Sequence, residues 1–290
     1  MKRVKLFLIP IISLLLFTGC DLFKVDNMED IDIITTSYPL EFVVKKLYGE
    51  HSVVKSIFPD GQDTYNYELN NKAIKNFSGE DLFVYIGFGR DKDIAVNLLK
   101  NNGKLLLIDG SLGMKPDYID ELWLNPSNML MISLNIKNGL DEYINNNYLI
   151  KEIDKNYEDL KLKLSMLDAD LKLTAENGTT KTIVTATKSL NFLKKYGYNI
   201  ISLYADNPAL EKTIQEVNKM ANSSSIKYIF TLENTADNES VNTILENNKN
   251  VSLIKLKRLD SITDAERNNG DDYFSLMQKN IEEIKKETYK

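Results

Sequence analysis

Two residue types that dominate metal and thiol chemistry occur once each in this 290-residue chain: one cysteine, Cys20, and one histidine, His51. Cys20 ends the run Leu16-Phe17-Thr18-Gly19-Cys20, after an apolar stretch from Leu6 and a basic start at Lys2, Arg3 and Lys5. That is the three-part plan of a secretory signal. The apolar stretch is shorter than the roughly 20 residues a membrane span needs. A small residue directly before a lone cysteine fits a lipobox, in which the thiol is acylated and begins the mature chain. The thiol is then an anchor and not a metal ligand. His51 lies in a hydrophilic turn, where a solvated loop residue is expected. Zinc favours Cys and His, usually four ligands in a closed site, and one chain with this inventory cannot assemble a His-based zinc site.

Enzyme chemistry is not expected. The chain has no His-Glu-x-x-His helix, no Gly-x-Ser-x-Gly elbow and no phosphate loop. Gly87-Phe88-Gly89 lacks the third glycine of a dinucleotide fingerprint. A net charge of −6 argues against a nucleic-acid partner. The hydrophobic share of 43% and charged share of 27% are those of a globular protein.

The elements that must position any site alternate between strand and helix. Strand patterns run at 31–37, 53–58, 82–86 and 105–108, with helical patterns after Pro39, around Ala73–Phe77 and around Ile94–Leu99. A second series places strands at 182–186, 200–204, 226–232 and 251–256. Helices are expected up to Gly197, over 209–220, at 241–245 and in a closing stripe from Tyr273 to Ile284. Continuous apolar strands separated by helices predict parallel sheets covered on both faces. Between the two series, Leu149, Ile153, Tyr157, Leu160, Leu164, Leu167 and Leu171 recur at steps of three and four, which predicts one long helix stopped at Asn177-Gly178. The expected organisation is a signal peptide (1–19), a lipid-anchored tether (20–30), an N-terminal α/β lobe (31–124), a helical segment with the long linking helix (125–178) and a C-terminal α/β lobe (179–290). A ligand cleft between the lobes follows. Trp123 is expected as a core or hinge anchor.

Several separated segments carry a resemblance. They are Thr35-Thr36-Ser37-Tyr38-Pro39-Leu40, Gly61-Gln62-Asp63 with Tyr67-Glu68, Asp81 to Gly87, and Trp123-Leu124-Asn125-Pro126. The second lobe adds Phe192 to Gly197, Ile229-Phe230-Thr231, Asp260-Ser261-Ile262 and Tyr273 to Met277. In this order they resemble the bacterial metal-binding lipoproteins that feed manganese, zinc or iron to ABC transporters. The resemblance implies two α/β lobes joined by a long helix. It also implies a permease and its ATPase as partners, and a monomer held on the extracytoplasmic face of a bacterial membrane through Cys20. The family's four ligand positions fall on Tyr65, Glu121, Ala186 and Asp260. Ala186 cannot ligate, so the resemblance leaves Asp260, Glu121 and Tyr65 as candidates. Oxygen donors suit a hard cation such as manganese or ferrous iron, and a phenolate would favour ferric iron. Glu233 and Asp206 are possible extra carboxylates. The competing reading is a family member with a lost metal site, binding another solute or serving as an adhesin-like surface lipoprotein.

Overall fold

The computed structural model describes residues 28–289, so the expected signal peptide, Cys20 and the start of the expected tether lie outside the described residues. The chain forms two parallel four-stranded sheets. In the first, β1 (Ile31–Thr35), β2 (Ser52–Ser56), β3 (Leu82–Tyr85) and β4 (Leu106–Asp109) stand in the order β2-β1-β3-β4. In the second, β5 (Thr182–Thr185), β6 (Asn199–Ser202), β7 (Tyr228–Leu232) and β8 (Ser252–Leu256) repeat it as β6-β5-β7-β8. All pairings are parallel, with Ile33 opposite Val54 and Leu82, and Ile229 opposite Val184 and Leu253. Interior strands read as nearly unbroken apolar runs, because helices cover both faces.

In each sheet the strand order reverses direction once, between β1 and β3 and between β5 and β7. The crevice beyond the carboxyl ends of the strands at such a point is where open α/β sheets bind ligands. Thr36 and Ser37 follow β1, and Ala186 follows β5, so the topology itself brings these segments to the cleft.

In the first lobe the connecting helices are α1 (Tyr38–Tyr48), α2 (Asn71–Phe77) and α3 (Gly89–Asn101). Pro39 stands in the first turn of α1, where its missing N–H costs nothing. A short α4 (Glu121–Leu124) leads into a helical hairpin of α5 (Pro126–Tyr143) and α6 (Asn147–Asn177). The apolar stripe from Leu149 to Leu171 is buried along α6 as its spacing predicts. At 31 residues, α6 is about 46 Å long, and it packs against α5, α1 and the last helix. The separate helix α5 carries a weaker stripe, Met129, Ile132, Ile136 and Leu140, within the segment 125–178 expected to be helical.

In the second lobe, the segment expected as an ordinary helix before Gly197 is a 3₁₀ helix, Lys188–Tyr196. Its inward residues Leu190, Leu193 and Tyr196 recur every third position, the period of that tighter winding. Then follow α7 (Leu210–Asn222), α8 (Glu239–Asn247), α9 (Asp264–Asn268) and α10 (Tyr273–Thr288). One apolar core runs through both lobes, from Ile33 and Leu40 through Leu160 to Phe230 and Tyr273. Two lobes that share a core resist free hinging. No helix among the described residues is long and apolar enough to cross a membrane.

Candidate functional site

The loop after β8 carries Arg258, Leu259 and Asp260. Arg258 is 6% exposed and Asp260 3%. Leu259 between them holds φ at 68°, a left-handed conformation that costs a non-glycine residue about 1–2 kcal/mol. Such strain persists where the surroundings fix it, commonly at functional sites. The fixing groups are visible: Trp123 Nε1 donates to the Arg258 carbonyl at 2.8 Å, and Tyr38 N donates to that of Asp260 at 3.1 Å. Trp123 is in turn held by the buried Tyr273 hydroxyl, which donates to its carbonyl at 2.6 Å.

Facing this loop, the first lobe supplies the segment 63–67. Arg90 pins it by donating to the carbonyls of Thr64 and Tyr65 at 2.9 Å each, and to that of Tyr67. The Thr64 hydroxyl then crosses to Asp260 Oδ2 at 2.5 Å. The Arg258 guanidinium lies at the centre. Its Nη2 is 3.2 Å from Asp260 Oδ2 and 3.5 Å from Asp63 Oδ1, and its Nε is 3.6 Å from Asp120 Oδ1. Its Nη1 donates to the Asn234 carbonyl at 3.2 Å, and the guanidinium stacks over the Tyr65 ring, 4.0 Å from its centroid. Asp120 also accepts from the Tyr65 hydroxyl at 2.7 Å and from Ser189 at 2.8 Å.

Burial pushes the Asp260 carboxyl up, against the Arg258 charge and the Thr64 hydrogen bond that hold it down. Burial of the Tyr65 hydroxyl and the neighbouring Asp120 charge raise its phenol well above 10, although the ring itself is half exposed. In this arrangement Tyr65 is a hydrogen-bond donor, its hydroxyl given to Asp120.

The sequence candidates fare unequally. Asp260 and Tyr65 meet at the cleft. From the segment before Trp123, it is Asp120 whose carboxylate joins the cluster around Arg258. Glu121 is buried, and burial together with the Asp117 charge raises its carboxyl to about 7. Ala186 offers only backbone, its N–H donating to the Phe230 carbonyl at 2.8 Å, while Ser189 of the following 3₁₀ helix supplies the side chain. Glu233 pairs with Lys257 at 2.7 Å and Asp206 with Lys188, so neither enters the cluster. His51 departs from a solvated loop residue: its Nε2 is 3.0 Å from Glu152 Oε2 on α6. Gly87 serves packing, since a Cβ there would lie 2.0 Å from Asp109 Oδ2. Sequence reasoning missed Asp63, Asp120 and Arg258. The available signal was an arginine two positions before the family aspartate.

Beside the cluster lies a cavity of about 220 Å³ at the β1/β3 reversal, lined by Ser37, Tyr65, Phe88, Asp91 and Trp123 among others. The Ser37 hydroxyl is buried there without a hydrogen-bond partner, and burial raises the Asp91 carboxyl to about 6.

The carboxylates and phenol are hard oxygen donors of the kind divalent cations take. As arranged they do not accommodate one, because the Arg258 guanidinium holds the space between them. Among the described residues no three His, Cys, Asp or Glu side chains converge as a ready metal-ligating group.

Two parallel-sheet lobes, a long joining helix and polar groups meeting across the cleft define the class of two-lobed α/β folds with a site between the lobes. The chain belongs to the ZnuA family, described as zinc-uptake complex component A periplasmic, whose family model matches residues 33–287. It is 25% identical to the zinc-binding protein AdcA of Streptococcus pyogenes, over 88% of this chain and 55% of that protein. It thus spans about half the length of that relative. It is also 25% identical to a metal ABC transporter substrate-binding lipoprotein of Lactococcus lactis, over 98% of this chain and 97% of the other. Its fold is similar to that of the Zn(II)-bound ZnuA-like domain of Streptococcus pneumoniae AdcA, with a TM-score of 0.73 at 22% identity, covering 90% of this chain and all of that domain.

Proposed function

We propose that this chain is the cargo-binding component of a metal-type ABC importer, held by an acylated Cys20 on the extracytoplasmic face of the membrane. It hands its cargo to a membrane permease driven by an ATPase. The observation that carries the reading is the cleft itself. Asp260 on the second lobe and Asp63, Asp120 and Tyr65 on the first all reach the Arg258 guanidinium, at the strand ends where such folds bind ligands. The cargo is a divalent cation. With oxygen donors alone, manganese or ferrous iron suits the cleft better than zinc, which prefers His and Cys. The match to a lipoprotein over nearly its whole length supports the tether.

The test is uptake. Cells of the source organism lacking this gene are expected to accumulate less manganese or iron when the metal is scarce. Wild-type protein should restore uptake. Cys20→Ala should be recovered in the soluble fraction and restore it poorly. Unchanged accumulation of manganese, iron and zinc in the deletion strain would remove the import reading.

A further inference from the structure

Arg258 has no counterpart among the expected ligands, yet it occupies the centre of the site. Three carboxylates from three separate loops reach its guanidinium there: Asp63 and Asp120 from the first lobe and Asp260 from the second. Like charges brought together at a cleft floor repel strongly unless a cation lies between them. The guanidinium is that cation. It is buried at 6% exposure, and its Nε has no hydrogen-bond partner. Its three carboxylate contacts are long, at 3.2, 3.5 and 3.6 Å. A purpose-built arginine–carboxylate fork has two parallel bonds at about 2.7–2.9 Å. Arg258 is therefore held by the summed field of the acids, by one hydrogen bond to the Asn234 carbonyl and by its stack on Tyr65, without a carboxylate fork.

We propose that the Arg258 side chain is the resident cation of this cleft: it takes the place of a cargo cation, bridges the lobes in its absence, and must be displaced for cargo to enter. The proposal rests on the cation-import reading above. One guanidinium leaves the three acids undercompensated, whereas a divalent ion would balance them more fully, so exchange has an electrostatic drive. Opposing it are the ion's dehydration and the need to find Arg258 a new place. Arg258 thereby lowers the site's apparent affinity by the fraction of molecules in which it is out of the way. It also lets the lobes meet without cargo.

The experiment compares wild-type protein and Arg258→Gln, each stripped with EDTA and titrated with manganese alone. Readouts are bound manganese and melting temperature. In EDTA, Arg258→Gln should melt several degrees below wild type, because its acids have lost their counter-ion. Manganese should bind it at least about tenfold more tightly than wild type, the effect of removing a competitor that fills the site in nine molecules of ten. It should also raise its melting temperature by more. Adding Asp260→Asn should abolish that response, which ties it to this cleft. Should Arg258→Gln fail to fold without metal, its refolding on manganese, but not on added sodium chloride, is the same result. Arg258→Lys supplies a folded variant, expected to bind manganese with intermediate affinity. Equal manganese affinity in wild type, Arg258→Gln and Arg258→Lys overturns the proposal and leaves the import reading standing. Failure of all three proteins to bind manganese, ferrous iron or zinc overturns both.

Discussion

Two arginines tie the same stretch of the second lobe to the first, and they do it differently. Arg267 lies at the rim of the cleft, 38% exposed. Its Nε and Nη2 reach Asp60 at 2.6 and 2.8 Å, and its Nη1 and Nη2 reach the buried Glu41 at 3.1 and 3.3 Å. This is a forked pair with short bonds, made to hold one geometry. Arg258 lies at the floor, nearly dry, with longer contacts to three acids and one nitrogen unbonded. The rim arginine is a clasp. The floor arginine lies among acids that it does not fork. Burial, not the number of carboxylates, separates their energetics: ion pairs near water contribute about 0–1 kcal/mol, while breaking a buried pair costs about 3–5 kcal/mol.

The largest expected effect tests that separation. Arg258→Gln removes the counter-ion from the floor and leaves Asp260 buried and charged without it. Urea denaturation at neutral pH should show a loss of about 3 kcal/mol, little changed by 1 M salt. Arg267→Ala should cost less, about 1–2 kcal/mol, because Glu41 keeps Lys45 at 2.5 Å and water reaches Asp60. That loss should shrink in 1 M salt, where the screening length falls to about 3 Å. Equal losses with equal salt dependence would erase the distinction between clasp and site.

A smaller change probes the floor without altering its charge. Thr64→Val keeps the side-chain shape and deletes the 2.5 Å hydrogen bond to Asp260 across the lobes. A loss of about 1 kcal/mol is expected. Manganese affinity should not fall, because Asp260 is then freer to turn toward a cation. A tenfold drop in affinity would mean that Thr64 is needed to present Asp260.

How much of this the sequence disclosed divides along the same line. The sheets were legible because apolar strands such as Ile31–Thr35 and Tyr228–Leu232 alternate with helical stripes. So was α6, whose stripe holds its spacing over six turns. Asp260 and Tyr65 were legible as positions in a family order. Arg258 was not, because an arginine reads as a surface residue until the three acids around it are seen, and these lie 138 to 195 positions apart from it or two positions away. Asp120 and Glu121 are adjacent. Sequence counting selects the second, but the turn at the start of α4 gives Asp120 to Tyr65, Ser189 and Arg258. Which of two neighbouring acids faces a cleft depends on one residue's rotation about the helix axis, and an aligned position does not record that.

Glu121 provides the finest test of that assignment. Its carboxyl is raised from an ordinary 4.5 to about 7, first by burial and then by Asp117. Between about 4.5 and about 7 the folded chain therefore holds this proton while the unfolded chain has released it. The folded state loses stability as pH rises through that window, and the full cost is present above it. Glu121→Gln should match wild type near pH 4.5 and exceed it by something on the order of 1 kcal/mol at pH 8, measured as the difference between two urea titrations. Parallel stability curves for the two proteins would mean that burial does not hold the Glu121 carboxyl up, and a loss at high pH would mean that its charge has a partner in the fold.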